Sequence, residues 1–96
     1  MALFDDVHNY YEKLVTEEII RQQLHHVYDN GTVADLCCTA LNQLPPRYIR
    51  SDVDMAFYLS INEAEQMQGK AAAAIEVARS LIAKRGSDAE YRQTPR

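Results

Sequence analysis

The sequence predicts an all-α fold, a compact bundle of three to four helices that assembles as a two-fold homodimer. Three observations support this prediction. Apolar residues recur at helical spacing along most of the chain. Two strong helix stops, Asn30-Gly31 and Pro45-Pro46, separate the periodic stretches. The 96 residues are 47% hydrophobic and 25% charged, which is the composition of one folded domain with a small core.

The first helix is predicted to run from Asp6, a candidate N-cap, to about Val27. Its apolar stripe shifts in phase along the segment, which favours a helix buried on more than one side. Asn30-Gly31 is predicted to end it near Asp29, because glycine readily adopts the left-handed conformation that closes a helix. The apolar positions of this segment are Val7, Tyr11, Leu14, Val15, Ile19, Ile20, Leu24 and Val27.

The second helix is predicted to begin just after Thr32, with Asp35 three residues on as in a capping box. It must finish by Leu44, because Pro45-Pro46 cannot continue a helix and also restricts the residue before it. Residues 47–50 are then expected to be extended or turn-like.

A third helical stretch is predicted to begin at Ser51 and to run to a stop at Gly86. A helix over residues 52–85 would be about 50 Å long, which is long for a domain of this size. Three forms stay open: one continuous helix, a kinked helix that restarts at the capping box Ser60–Glu63, or a short strand over Met55–Leu59. Its apolar positions at helical spacing are Phe57, Ile61, Ala64, Ile75, Ala78 and Ile82.

The dimer prediction follows from apolar surface. A 96-residue chain has little interior in which to hide large side chains, and a second copy would cover more of them. The residues expected at that interface are Tyr11, Leu14, Phe57, Ile61 and the alanine-rich face of the last helix.

Domain organisation and location follow from simple patterns. Residues 1–86 are predicted to form the single domain, and residues 87–96 a polar tail that is disordered. No apolar run reaches the roughly 20 residues needed to cross a bilayer, and the first residues do not resemble a signal peptide. The adjacent Cys37 and Cys38 cannot close a loop by a disulfide and suit a reducing compartment. We therefore expect a cytoplasmic protein without membrane insertion.

Several function classes are disfavoured. The net charge of -4 argues against broad binding to DNA or RNA backbones. No metal site is expected, because the candidate ligands are adjacent in pairs and lack CxxC or HxxxH spacing. Nothing marks a nucleophile with its base, or a glycine-rich phosphate loop, so no enzyme and no cofactor are expected. The metal candidates considered are His8, His25, His26, Cys37 and Cys38.

One segment, Asp35–Tyr48, has the sequence DLCCTALNQLPPRY. It resembles the signature of the ComFB family, the late-competence proteins of bacteria. The resemblance covers about residues 7–83 and includes the alanine- and isoleucine-rich last helix. The matching residues are Asp35, Ala40-Leu41-Asn42, Leu44-Pro45-Pro46 and Tyr48, with Asn9-Tyr10, Glu12 and Val15 upstream.

The resemblance implies a compact helical fold, a homodimer and no known catalytic activity. Some members of the family are receptors for cyclic dinucleotides such as c-di-GMP or c-di-AMP. Others have a cysteine cluster just before the shared acid and are thought to hold zinc there. This chain has Tyr28–Val33 in that place, without cysteine, so zinc is not expected. The competing expectation is a ligand-free dimeric adaptor that recruits an unidentified protein partner.

The candidate ligand-binding residues are Arg47, Tyr48, Arg50 and Asn42. The double proline should hold the following residues extended and present Arg47 and Arg50 beside Tyr48. Guanidinium groups suit phosphate and the Hoogsteen edge of guanine, and a tyrosine ring can stack on a base. A structural interpretation stays open, in which Tyr48 packs in the core, Asn42 caps a turn and the arginines form salt bridges. Lys70 is expected to lie away from this site.

Overall fold

The computed structural model describes residues 7–50 and 59–87. The described part is mostly helical, which confirms the predicted fold class, and a small antiparallel pair of strands adds to it. In this pair Asn9 lies opposite Tyr48, and Val7 lies opposite Arg50. The elements in chain order are β1 (Val7–Asn9), α1 (Tyr10–Arg21), a 3₁₀ turn (Leu24–His26), α2 (Asn30–Leu41), β2 (Tyr48–Arg50) and α3 (Ile61–Ser87).

Helix α1 is shorter than predicted at both ends. It begins after Asn9, whose Oδ1 accepts a hydrogen bond from the Tyr11 backbone N–H at 3.2 Å, and not at Asp6. It ends just before Gln23, which takes a left-handed φ of 58° and turns the chain into the 3₁₀ segment. The prediction of one helix to Val27 was therefore wrong, because the phase shift in the apolar stripe marks a break in the helix.

Helix α2 begins one turn earlier than predicted. Its N-cap is Asp29, whose Oδ1 accepts a hydrogen bond from the Thr32 backbone N–H at 2.7 Å. Gly31 lies inside the first turn without a left-handed φ, so it does not close the preceding helix. The helix ends at Leu41, which confirms the prediction that it stops before the double proline.

Helix α3 begins at Ile61, directly after Ser60, as the capping box Ser60–Glu63 predicted. Ser60 Oγ accepts a hydrogen bond from the Glu63 backbone N–H at 3.1 Å. Leu59 and Ser60 are not helical, which excludes one continuous helix over residues 52–85. The helix runs to Ser87, one residue past the predicted stop.

Four further predictions fall wholly or mostly on parts of the chain outside the described residues. The N-cap at Ser51, the interface position Phe57 and almost all of the alternative strand over Met55–Leu59 belong to residues 51–58. The polar tail was predicted over residues 87–96, of which Ser87 is the last residue of α3 and residues 88–96 lie outside the described part.

The core lies where the three helices meet. Val15 of α1, Leu36 of α2 and Ile75 of α3 each have an exposed fraction of 0%. Gln43, just after α2, donates a side-chain hydrogen bond to the Ala74 carbonyl oxygen at 3.2 Å. This bond ties the turn that precedes the double proline to the middle of α3.

Burial corrects the prediction about the dimer surface. Tyr11 and Leu14 are only 3% exposed in the single chain, because they pack in its core. Ile61, which was also expected at that interface, is 83% exposed at the start of α3. Over residues 7–50 and 59–87, no helix has both the length and the apolar character that crossing a membrane requires.

Candidate ligand-binding site

Two of the predicted site residues share one face of the strand pair. Side chains alternate along a strand, so Tyr48 and Arg50 point to one side and Ile49 points to the other. Ile49 packs against the core, whereas Tyr48 is 61% exposed. The interpretation that Tyr48 is a core residue is therefore wrong, and its ring faces solvent beside an exposed Arg50.

Arg47 is anchored through both its backbone and its side chain. Its backbone N–H donates to Asn9 Oδ1 at 2.9 Å, and its carbonyl oxygen accepts from the Tyr10 N–H at 2.6 Å. Its Nη1 lies 2.7 Å from Glu63 Oε2, and its Nη2 lies 3.5 Å from Glu63 Oε1. The salt-bridge interpretation is therefore confirmed for Arg47, which links the start of α1 with the first turn of α3.

The charges of this pair depend on each other. The hydrogen bond from Arg47 lowers the pKa of the Glu63 carboxyl, and the same bond raises the pKa of the Arg47 guanidinium. Burial raises the pKa of the nearby Tyr11 hydroxyl, an effect that the Arg47 charge opposes. At neutral pH the pair is ionised and the phenol is neutral.

A cleft of about 260 Å³ lies between the double-proline turn and α3. Its polar groups include two cations, Arg47 and Lys70, and one carboxylate, Glu63. Lys70 therefore lines the same cleft as Arg47, whereas the sequence had predicted that it lies away from the site. The residues that line the cleft are Tyr11, Pro45, Pro46, Arg47, Glu63, Gln66, Met67 and Lys70.

The structure divides the predicted site. Tyr48 and Arg50 lie on the outer face of the strand pair, while Arg47 lines the cleft. Asn42 is the C-cap residue of α2 and does not line the cleft, which agrees with its role as a turn residue. Glu63 and Lys70 were missed as site residues, because only the folded chain brings α3 beside Arg47.

The two adjacent cysteines differ in exposure. Cys37 is half-buried and Cys38 is exposed, and both are free thiols. Burial raises the pKa of the Cys37 thiol. Among the residues that the structure describes, no three His, Cys, Asp or Glu side chains come together as metal ligands.

A second, more open cleft of about 340 Å³ lies between α2 and the end of α3. It is lined by Thr39, Leu81, Lys84 and Arg85. Leu81 is 44% exposed and Val77, one turn earlier on α3, is 46% exposed. This part of α3 therefore presents apolar side chains next to two basic ones.

The family model for the late competence development protein ComFB matches residues 8–86. No curated protein and no solved structure matches the chain significantly. Since the family match covers most of the chain, including α1, α2 and β2 in full and nearly all of β1 and α3, this protein belongs to the ComFB family of late competence development proteins.

Proposed function

We propose that this chain is a regulatory receptor for a cyclic dinucleotide, which it binds without catalysing a reaction. The observation that supports this most is the setting of Arg47. It is anchored at a cleft that contains a second cation, Lys70, and it directly precedes the exposed ring of Tyr48. A cyclic dinucleotide offers phosphates to the cations and flat bases to the ring.

Arg47 is suited to phosphate because it is already ordered. Its backbone is held by two hydrogen bonds, so little conformational freedom is lost when a ligand binds. Its partner Glu63 competes for the guanidinium only weakly. The Arg47 and Glu63 side chains are 36% and 41% exposed, so water screens their attraction and a phosphate can share the arginine.

Tyr48 and Arg50 would bind a second part of the same ligand. Stacking of a base on an aromatic ring is typically worth about 1–3 kcal/mol, and an adjacent guanidinium adds a phosphate contact. Because strand pairing to β1 fixes the direction of both side chains, they form a prepared surface.

Binding without catalysis, a homodimer and a cytoplasmic location are part of the proposal. The raised pKa of Cys37 disfavours a thiolate nucleophile. Free thiols suit a reducing compartment. Ile20 and Val27 are 56% and 65% exposed, and pairing with a second copy would cover such side chains.

The test is calorimetric titration of the full chain with c-di-GMP and, separately, with c-di-AMP. Arg47→Ala and Arg50→Ala should each weaken binding by roughly ten- to a hundredfold, the value of one charge-assisted contact. Tyr48→Ala should weaken it to a similar extent. Lys84→Ala, in the second cleft, is the control and should bind normally. Absence of a heat of binding with both nucleotides would refute the proposed receptor function.

A ligand-free adaptor is the second candidate, and the exposed Val77 and Leu81 favour it. In that case Leu81→Asp would abolish recruitment of a protein partner, while Arg47→Ala would leave it intact. Partner recruitment by both variants would argue against an adaptor surface on α3.

A further inference from the structure

We infer that the cleft between the double-proline turn and α3 receives one base of the cyclic dinucleotide and selects guanine over adenine, with Glu63 as the residue that discriminates. This inference rests on the proposed receptor function and adds a base specificity to it.

The cleft has the size and walls of a base pocket. Ligand pockets usually measure about 300–1,000 Å³. The volume here, about 260 Å³, therefore suits one base better than a whole cyclic dinucleotide. Pro45, Pro46 and Met67 supply apolar surface that can cover the faces of a flat ring.

Glu63 supplies the group that can tell the bases apart. Its Oε2 accepts a hydrogen bond from Arg47 at 2.7 Å, and its Oε1 accepts a longer one from the same guanidinium at 3.5 Å. A carboxylate has about four lone-pair positions, so Glu63 keeps acceptor capacity beyond Arg47. Its backbone N–H is capped by Ser60, which fixes the position of Glu63 at the start of α3.

Guanine and adenine differ at the edge that such a carboxylate would meet. Guanine presents two donors there, its N1–H and its N2 amino group, which match an ionised carboxylate. Adenine presents an acceptor at N1 and lacks the N2 amino group, so its lone pair would face the negative oxygens. A site built to accept hydrogen bonds rejects an analogue that lacks the donors. Lys70, which lines the same cleft, supplies a positive charge for the phosphate that follows the base.

The experiment compares the Kd values of c-di-GMP and c-di-AMP for the full chain and two variants. The unmodified chain should bind c-di-GMP with a Kd roughly 10- to 100-fold lower than that for c-di-AMP, which is the usual discrimination from one bidentate contact to a base. Glu63→Gln should reduce that ratio at least tenfold, because an amide can pair with adenine. The ratio is the correct measure, because removal of one negative charge favours both anionic ligands. Glu65→Gln, an exposed change on the same helix, should leave the ratio unchanged.

A second measurement locates the base directly. Met67 lines the cleft, so the ring current of a bound guanine should shift its ¹³C-methyl signal, which Met67→Leu would assign. Three results would each overturn the inference while the receptor function stands. They are an unshifted Met67 signal, equal Kd values of the unmodified chain for the two nucleotides, and a Kd ratio that Glu63→Gln leaves unchanged. If neither nucleotide binds, the proposed function itself has failed.

Discussion

The Arg47 guanidinium and the Glu63 carboxylate lie 2.7 Å apart. They join the residue directly before β2 to the first turn of α3. The pair forms part of the wall of the cleft, so one interaction both closes the fold at this end and shapes the candidate site. Its partial exposure means that it contributes more to the position of Arg47 than to stability.

Core packing predicts a large effect at Ile75, which is fully buried between the helices. Ile75→Ala should lower the free energy of unfolding by about 2–5 kcal/mol, because it leaves a cavity. Ile61→Ala is the matched control, since Ile61 is 83% exposed, and it should change stability by less than ~0.5 kcal/mol. Urea unfolding of both variants checks this, and equal losses would contradict the arrangement of the core.

Gln23 has a left-handed φ of 58°, which is unfavourable for a residue with a Cβ atom. Gln23→Gly should therefore raise the free energy of unfolding, by about 0.5–1 kcal/mol after allowance for the flexibility of glycine in the unfolded chain. Gln23→Val should lower it, because a β-branched side chain tolerates this φ poorly. If glycine destabilised the protein, Gln23 would not be strained.

The N-cap of α2 can be tested at Asp29. Asp29→Ala removes the acceptor for the Thr32 N–H and should lower the Tm by roughly 4–8 °C, the effect of losing one cap in a domain of this size. Asp29→Asn retains an acceptor and should be nearly neutral. Thermal unfolding followed by circular dichroism separates the two, and a Tm loss as large in the asparagine variant would point to charge instead of capping.

Stability should fall at acidic pH because three carboxyls among the described residues have lowered pKa values in the folded state. Hydrogen bonds lower the pKa of Glu18 (from Arg21), of Asp29 (from the Thr32 backbone) and of Glu63 (from Arg47). Each contribution is complete above the ordinary values of 4.5 for Glu and 3.8 for Asp. It is lost as pH falls through the lower folded-state pKa.

Urea unfolding at several pH values measures this dependence. The contribution of these carboxyls should be constant from pH 7 to about pH 5 and should decrease below about pH 4.5. Glu18→Gln should flatten the acid limb, because one of the three groups no longer titrates. Stability that stayed unchanged down to pH 3 would contradict the three hydrogen bonds.

The double proline offers a test of the cleft as a rigid structure. Replacement of Pro45 and Pro46 by alanine should leave the protein folded, because α2 already ends at Leu41 and Gln43 still contacts α3. Nucleotide binding should drop sharply, since the prolines line the cleft and hold Arg47 in place. Calorimetry measures the affinity for the nucleotide, and circular dichroism checks that the variant is folded. Unchanged affinity would show that the double-proline turn only connects α2 to β2.

Local signals predicted much of the fold. The double proline placed the end of α2 before it, the capping box at Ser60 placed the start of α3, and the segment after the prolines was expected to be extended, as β2 is. The break at Gln23 was not predictable, because glutamine carries no preference for a left-handed φ. Nor was pairing between β1 and β2, which joins residues far apart in the chain.

The sequence by itself determined the end of α2, the start of α3 and the family to which the motif belongs, because prolines and caps act over a few residues. Only the tertiary structure decided what the motif residues face. It turned Tyr48 to solvent, directed Arg47 toward Glu63 and brought Lys70 beside the double proline. These placements depend on how α3 packs against α1 and α2, which follows from long-range burial of the core and not from local preference.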